Sequence, residues 1–205
     1  MPDQTDEKAT ARSRFVNNRR ALGNRERVEQ TCAATIRLLA DSRLTSADTV
    51  AAYWPMGAEP DTRPLIETLL ERGVRVLLPV LLADRDLDWA DYAGDPAALV
   101  GGGAGTRQPT GTTLGVDFVL RARVMIVPAL AVTADGVRIG RGGGSYDRVL
   151  TRIADAASAG RRAPWTCTLL YEDELGTLDP AAVEPHDRAV DAACTGARLV
   201  DFHSL

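Results

Sequence analysis

Between Asp48 and Pro79 the chain reads as strand, helix and strand in immediate succession. "DTVAAYW" (48–54) is a short apolar run that closes at Pro55, the pattern of a buried strand. "DTRPLIETLLERG" (61–73) offers Asp61 or Thr62 as an N-cap, Pro64 in the first turn and Gly73 as a stop, so it predicts a helix. "VRVLLP" (74–79) follows as the second strand. Strand–helix–strand units of this length place their strands side by side and parallel, joined by a right-handed crossover. The chain is therefore expected to be α/β, a mostly parallel sheet with helices against its faces.

The remaining segments extend that plan. "VMIVP" (124–128) is the most strand-like run, and "TCTLLY" (166–171) and "ARLVDF" (197–202) predict two more strands. "LDWADY" (87–92) alternates weakly, as an edge strand does, and "ADG" (134–136) predicts a tight turn between short strands. Residues 5–22 and 24–40 read as helices broken near Gly23, the second with Val28, Cys32, Ile36, Leu38 and Leu39 on its apolar face. Residues 94–113 are rich in Gly, Thr and Pro. They predict a long loop with a helical piece near Pro96–Val100, either a functional flap or an unstructured segment. With no repeat and no linker, residues 1–205 form a single domain in this reading.

Composition narrows the function. A net charge of −4 opposes general binding to nucleic acid or to a membrane surface, so an anion must be met by a local group of Arg and Lys. Cys32, Cys167 and Cys194 lack metal-ligand spacing and are expected as buried thiols in a reducing compartment. His186 and His203 are the only histidines, too few for a His-rich metal site. The polar start "MPDQTDEKATARSRF" lacks a signal-peptide core, and the longest apolar run is interrupted by Pro128. A cytoplasmic monomer is expected.

The chemistry concentrates in "VRIGRGGGSYDRVL" (137–150). Gly144 is followed by Ser145 and Tyr146, not by the Lys of a Walker A loop. Counting from Gly140 and Gly142, the third glycine of a dinucleotide fingerprint falls on Ser145, so that motif fails too. What remains is the physics the two motifs share. Glycines let backbone N–H groups approach phosphate oxygens, and a helix N-terminus adds unpaired donors and partial positive charge. Arg138 and Arg141 add forked donors, and Asp147 falls in the first helical turn, within reach of a phosphate-bound Mg²⁺. The plain alternative is a flexible turn capped by Ser145, with Asp147 merely complementing the helix dipole.

At these residues the chain resembles the 5-formyltetrahydrofolate cyclo-ligase family. "RIGRGGGSYDR" is similar to that family's glycine-rich signature, with "VP" at 127–128 upstream. "AYWPMGAEPDT" (52–62), "KATAR" (8–12) and "EPHDRAVDAACT" (184–195) resemble further family segments in the same order. The sequence departs from the pattern at Gly143, at Ser145 (an aromatic in many members), at "ALAVT" (129–133) and at Gln108-Pro109.

The resemblance implies a three-layer α/β/α fold with a mostly parallel mixed sheet, of the cyclo-ligase kind and akin to sugar-phosphate isomerase and CoA-transferase folds. It implies an ATP- and Mg²⁺-dependent conversion of 5-formyltetrahydrofolate to 5,10-methenyltetrahydrofolate. Lys8, Arg12, Arg138, Ile139, Gly140, Arg141, Gly142, Gly143, Gly144, Ser145 and Tyr146 would then bind ATP. Asp147 and Asp187 would hold Mg²⁺. Trp54 and Glu59, with Arg141, Gly142, Gly143, Gly144 and Ser145, would contact the folate. Arg138 and Arg141 would stabilise the transferring phosphoryl group. Two other readings stay open at this point: a non-catalytic nucleotide or folate binder, and a sugar-phosphate isomerase-like α/β enzyme.

Overall fold

A computed structural model describes residues 4–202 of the chain, so His203 lies outside the described residues. Two helices open it, α1 (Gln4–Ala21) and α2 (Asn24–Leu39), followed by a single turn, α3 (Ser42–Thr45). Then come β1 (Thr49–Ala51), α4 (Arg63–Glu71), β2 (Arg75–Leu81) and β3 (Leu87–Tyr92). Residues 94–113 hold two short strands, β4 (Leu99–Gly101) and β5 (Arg107–Pro109). The second half contains β6 (Val124–Val127), β7 (Ala131–Val132), β8 (Arg138–Ile139), α5 (Ser145–Ser158), β9 (Trp165–Leu169), β10 (Ala192–Cys194) and β11 (Leu199–Asp201).

Seven strands form one sheet in the order β11-β10-β9-β6-β1-β2-β3. The five inner strands are mutually parallel, and β3 and β11 close the two edges antiparallel to their neighbours. Alternation along the strands divides the core. Val50, Val76, Val124 and Ile126 face α2 and α4, where Leu38, Leu65, Ile66 and Leu69 are buried. Ala51, Leu77, Met125 and Val127 face α5, whose Val149, Leu150 and Ile153 form the inner stripe. This is the expected three-layer arrangement. Among the described residues, no helix is long and apolar enough to cross a membrane.

The α4 prediction divides its cap between two residues. Thr62 occupies the N-cap position, but its hydroxyl donates to the Tyr53 carbonyl at 2.6 Å. The Asp61 carboxylate accepts from the Arg63 amide instead.

Three expectations are corrected and one strand is added. Residues 94–113 are not structureless, because β4 and β5 pair as an antiparallel hairpin and the Gln108 side chain accepts from the Leu81 amide. The β10 strand went unpredicted. Only part of the predicted apolar face of α2 turns inward: Leu38 is buried and Leu39 packs against the core, whereas Val28 and Ile36 are 59% and 64% exposed and Thr31, Ala34 and Thr35 are buried instead. The helix also runs close to Gly196, where a Cβ would lie 3.3 Å from the Ala33 Cβ and 3.2 Å from the Gln30 carbonyl. The inward positions Thr31, Ala34 and Thr35 are small, which lets α2 lie close to the elements beneath it. Cys32 is exposed, whereas Cys167 and Cys194 are buried as expected.

Helix α1 packs differently from the others. Its inward face carries Lys8, Ala11, Phe15 and Arg19, two aliphatic or aromatic residues between two buried cations. Ala11 and Phe15 pack with Leu130, Ala131, Ile139, Leu178 and Ala182, a small third cluster. The helix thereby lies across the β7–β8 hairpin, directly beside the glycine stretch that follows β8.

Candidate functional site

The chain from β8 to α5 is the centre of the site. Gly142 and Gly144 have φ of +94° and +72°, values that side chains disfavour, and they turn the chain sharply into the helix. Gly144 is the N-cap of α5 and no side chain caps it. Ser145 is the first helical residue, so the capped-turn alternative is not what forms. The uncapped end, with Ser145, Tyr146 and Asp147, opens on a cavity of about 610 Å³.

Arg138 comes from β8 and is buried; its Nη2 donates to Asp147 Oδ1 at 2.7 Å. Burial lowers the Arg138 pKa, and the Asp147 charge opposes that shift. Arg138 Nε is buried and has no hydrogen-bond partner among the described residues, a donor available to an incoming acceptor. Arg12 reaches across from α1, donating from Nε to the Gly140 carbonyl at 3.1 Å. Three guanidinium groups, those of Arg12, Arg138 and Arg141, line one cavity with the glycines.

The opposite wall comes from the segment after β1. Trp54 stands edge-on to Tyr92, with ring centroids 5.6 Å apart, and faces the cavity. Glu59 is bound by its own loop, its Oε2 accepting from the Met56 amide at 2.9 Å. Its Oε1 accepts from Arg141 Nε at 3.0 Å. Residues 82 positions apart thus meet across the cavity mouth.

Of the residues expected in the site, Arg12, Trp54, Glu59, Arg138, Gly140, Arg141, Gly142, Gly143, Gly144, Ser145, Tyr146, Asp147 and Asp187 line this cavity. Lys8 and Ile139 do not. Ile139 is buried against Phe15 and holds Leu130 through its carbonyl. Lys8 is 2% exposed and sits behind the wall, 2.7 Å from the Asp187 carboxylate, 2.5 Å from Glu184 and 3.3 Å from His186 Nε2. It is not on a solvated face.

Asp147 and Asp187 suit a hard cation by donor chemistry, and both face the cavity. Each is neutralised by a buried cation, Arg138 and Lys8 respectively. No group of three or more His, Cys, Asp or Glu suited to holding a metal forms among the described residues. By donor chemistry each carboxylate could supply one ligand to a hard cation whose other ligands come from outside the protein, and no protein cage for such an ion forms among the described residues.

The family model of the 5-formyltetrahydrofolate cyclo-ligase family matches residues 4–196. The chain belongs to that family. A 5-formyltetrahydrofolate cyclo-ligase of Mycolicibacterium smegmatis is 37% identical over 196 residues, 93% of this chain and 94% of the relative. The NMR structure of Aquifex aeolicus 5,10-methenyltetrahydrofolate synthetase is similar with a TM-score of 0.77 at 22% identity, over 95% of this chain and 92% of that one. A 5,10-methenyltetrahydrofolate synthetase from Mycoplasma pneumoniae gives 0.70 at 19% identity, over 92% and 98%. At those identities the two structures bear on the fold, and they agree with the three-layer architecture.

This cyclo-ligase family member also lines its cavity with residues that the sequence did not mark as site residues. Pro79, Leu81, Leu82, Arg85 and Leu87 come from β2, β3 and the turn between them, and Arg107 with Gln108 from β5. Leu81 and Leu87 carry no chemical signature, and only their adjacency to a predicted edge strand could have marked them. Arg85 was findable as a cation in a turn; its backbone φ is +69° and its carbonyl accepts from Arg148, near the start of α5.

Proposed function

We propose that the protein converts 5-formyltetrahydrofolate to 5,10-methenyltetrahydrofolate with consumption of ATP and release of ADP and phosphate. Family membership supports the folate conversion. The observation that carries the nucleotide half is the single cavity in which Arg12, Arg138, Arg141 and an uncapped helix N-terminus face Trp54 and Glu59. One wall is built for a polyanion, and the other presents an aromatic ring and a carboxylate to a heterocycle.

A formamide carbon is a poor electrophile because its nitrogen donates into the carbonyl. In the proposed reaction the formyl oxygen attacks the γ-phosphorus, the bond to the ADP oxygen breaks, and N5 carries an iminium phosphate. N10 of the same folate then attacks the iminium carbon, the C–O bond breaks and phosphate leaves. Loss of the N10 proton completes the N5–CH–N10 amidinium. The second nucleophile is already tethered, so no protein nucleophile is required. The protein's work is to align two ligands and to neutralise charge on the phosphoryl oxygens, the task assigned to Arg138, Arg141 and the glycine-loop amides.

Asp147 and Asp187 would hold Mg²⁺. When bound, the ion supplies charge neutralisation of the phosphates. Arg138 lies on the carboxylate of Asp147 and Lys8 on that of Asp187; at Asp147 nucleotide binding would exchange partners, the Arg138 guanidinium turning to phosphate while the carboxylate takes the ion. Glu59 orients the folate by accepting hydrogen bonds from its N–H groups. A cytoplasmic monomer is part of the same proposal.

The test is the absorbance change of methenyltetrahydrofolate formation from 5-formyltetrahydrofolate, with and without ATP and Mg²⁺. Product that depends on both supports the reading. No product from folded protein that still binds ATP would assign the cavity to another substrate.

A further inference from the structure

Arg19, one turn beyond Phe15 on α1, does not touch the cavity, yet it holds three of its walls together. Its side chain is 2% exposed and pairs with Glu174, Nε to Oε1 at 2.7 Å and Nη2 to Oε2 at 2.9 Å. The same Nη2 donates to the Ala129 carbonyl at 2.5 Å. Its Cζ lies over the Tyr171 ring at 5.6 Å. Glu174 accepts from the Tyr171 amide at 3.0 Å, and the Tyr171 hydroxyl donates to the Ala58 carbonyl at 3.3 Å. Through this one node α1, which carries Arg12, is bound to residues 128–130 and to the loop that carries Glu59, and all three line the cavity.

Stability alone does not account for such a node. A buried ion pair stabilises a fold no better than apolar residues of similar volume, because desolvation offsets the Coulomb gain. Arg19 Nη1 is moreover buried with no partner among the described residues, a further cost. What a planar guanidinium offers that Leu or Met cannot is direction: it grips a carboxylate and a carbonyl at once in fixed geometry. The Ala129 carbonyl is engaged by α1, so its negative end is not presented to an anionic ligand beside the glycine loop.

We propose that Arg19 is a positioning residue for the reaction, acting with Glu174 to set Arg12, residues 128–130 and Glu59 in register. The proposal rests on the reading given under Proposed function. Two variants test it. Arg19→Lys keeps a charge against Glu174 but cannot span both acceptors. Arg19→Met with Glu174→Gln removes both charges while leaving an oxygen for the Tyr171 amide, which guards against failure from a stranded charge. Each should melt within a few degrees of the parent. Each should raise KM for ATP about tenfold while kcat at saturation falls less than about threefold, the signature of misplaced rather than missing groups.

Hydrogen exchange gives a readout independent of turnover. The Leu130 amide, bonded to the Ile139 carbonyl, and the Glu59 amide, bonded to Met56, should exchange faster in both variants. Unchanged KM in a folded, active variant overturns the proposal, as does unchanged exchange at both amides. If the parent protein makes no methenyl product with ATP, the functional reading fails. The exchange rates at Leu130 and Glu59 then decide the positioning role alone, faster supporting it and unchanged refuting it.

Discussion

Arg138 and Asp147 neutralise each other across 2.7 Å at the start of α5, the cation coming from a strand and the carboxylate from the first turn of the helix. In the absence of ligand neither charge is stranded. Asp147→Asn breaks this balance in a way that separates metal from phosphate binding. Turnover with Mg²⁺ should fall about 100-fold, as when one electrostatic group of a transition state is lost. Affinity for ATP without Mg²⁺ should rise, because Arg138 is released. Titration calorimetry in chelator, beside steady-state kinetics, checks both signs, and weaker metal-free binding contradicts the exchange.

Glu59 lines the cavity on the wall proposed for the folate and is tethered to Arg141. Glu59→Ala should raise KM for 5-formyltetrahydrofolate about tenfold or more, the worth of a hydrogen bond to a charged group. KM for ATP should change much less, since Arg141 keeps its charge and gains freedom. Varying each substrate at saturation of the other measures the two effects, and equal losses would refute the folate role.

Gly142→Ala places a Cβ where φ is +94° and 3.4 Å from the Arg12 guanidinium carbon. The strain should cost about 1–3 kcal/mol of stability. Displacement of Arg12 should raise KM for ATP as well. Thermal unfolding together with nucleotide titration distinguishes the two contributions, and a variant with unchanged Tm and KM would show that the turn tolerates a side chain.

The thiols offer a check on the core. Burial pushes the Cys194 pKa up to about 12 and the Cys167 pKa well above its ordinary value, so neither forms thiolate at mildly alkaline pH. Cys32 is exposed on α2. A maleimide should therefore add one label to native protein and three after denaturation, as read by intact mass. Labelling of Cys167 in the native state would mean that β9 opens.

Much of the sheet was legible because strand and helix between Asp48 and Pro79 differ in period and are punctuated by Pro and Gly. β10 escaped because Ala192, Ala193 and Cys194 have neither alternation nor bulk, and their strand character comes from pairing with β9. The hairpin in residues 94–113 escaped for a related reason: strands of three residues, one ending in glycine, leave no pattern. The face of α2 was misread in part because its inward positions Thr31, Ala34 and Thr35 are small or polar, while the apolar Val28 and Ile36 turn outward. In the site, the glycine stretch declared itself through backbone and charge. Arg12 was marked as a site residue only through resemblance, and its bond to Gly140 not at all, since nothing local to residue 12 points to a partner 128 positions away. Glu184, which shares Lys8 with Asp187, stood three residues before an acid already singled out, yet a lone loop carboxylate gives no sign of what it will meet.

Lys8 and Asp187 are separated by 179 positions. Synthesis of the polypeptide proceeds from the first to the second, so the helix that contributes Arg12 must wait until residues 184 and 187 have been made before its buried ammonium finds its counter-charges. A nascent chain that has passed the glycine stretch has the loop but neither Glu184 nor Asp187 to anchor Lys8. Docking of α1 through Lys8 is thereby tied to synthesis of a segment that lies well downstream of the glycine stretch.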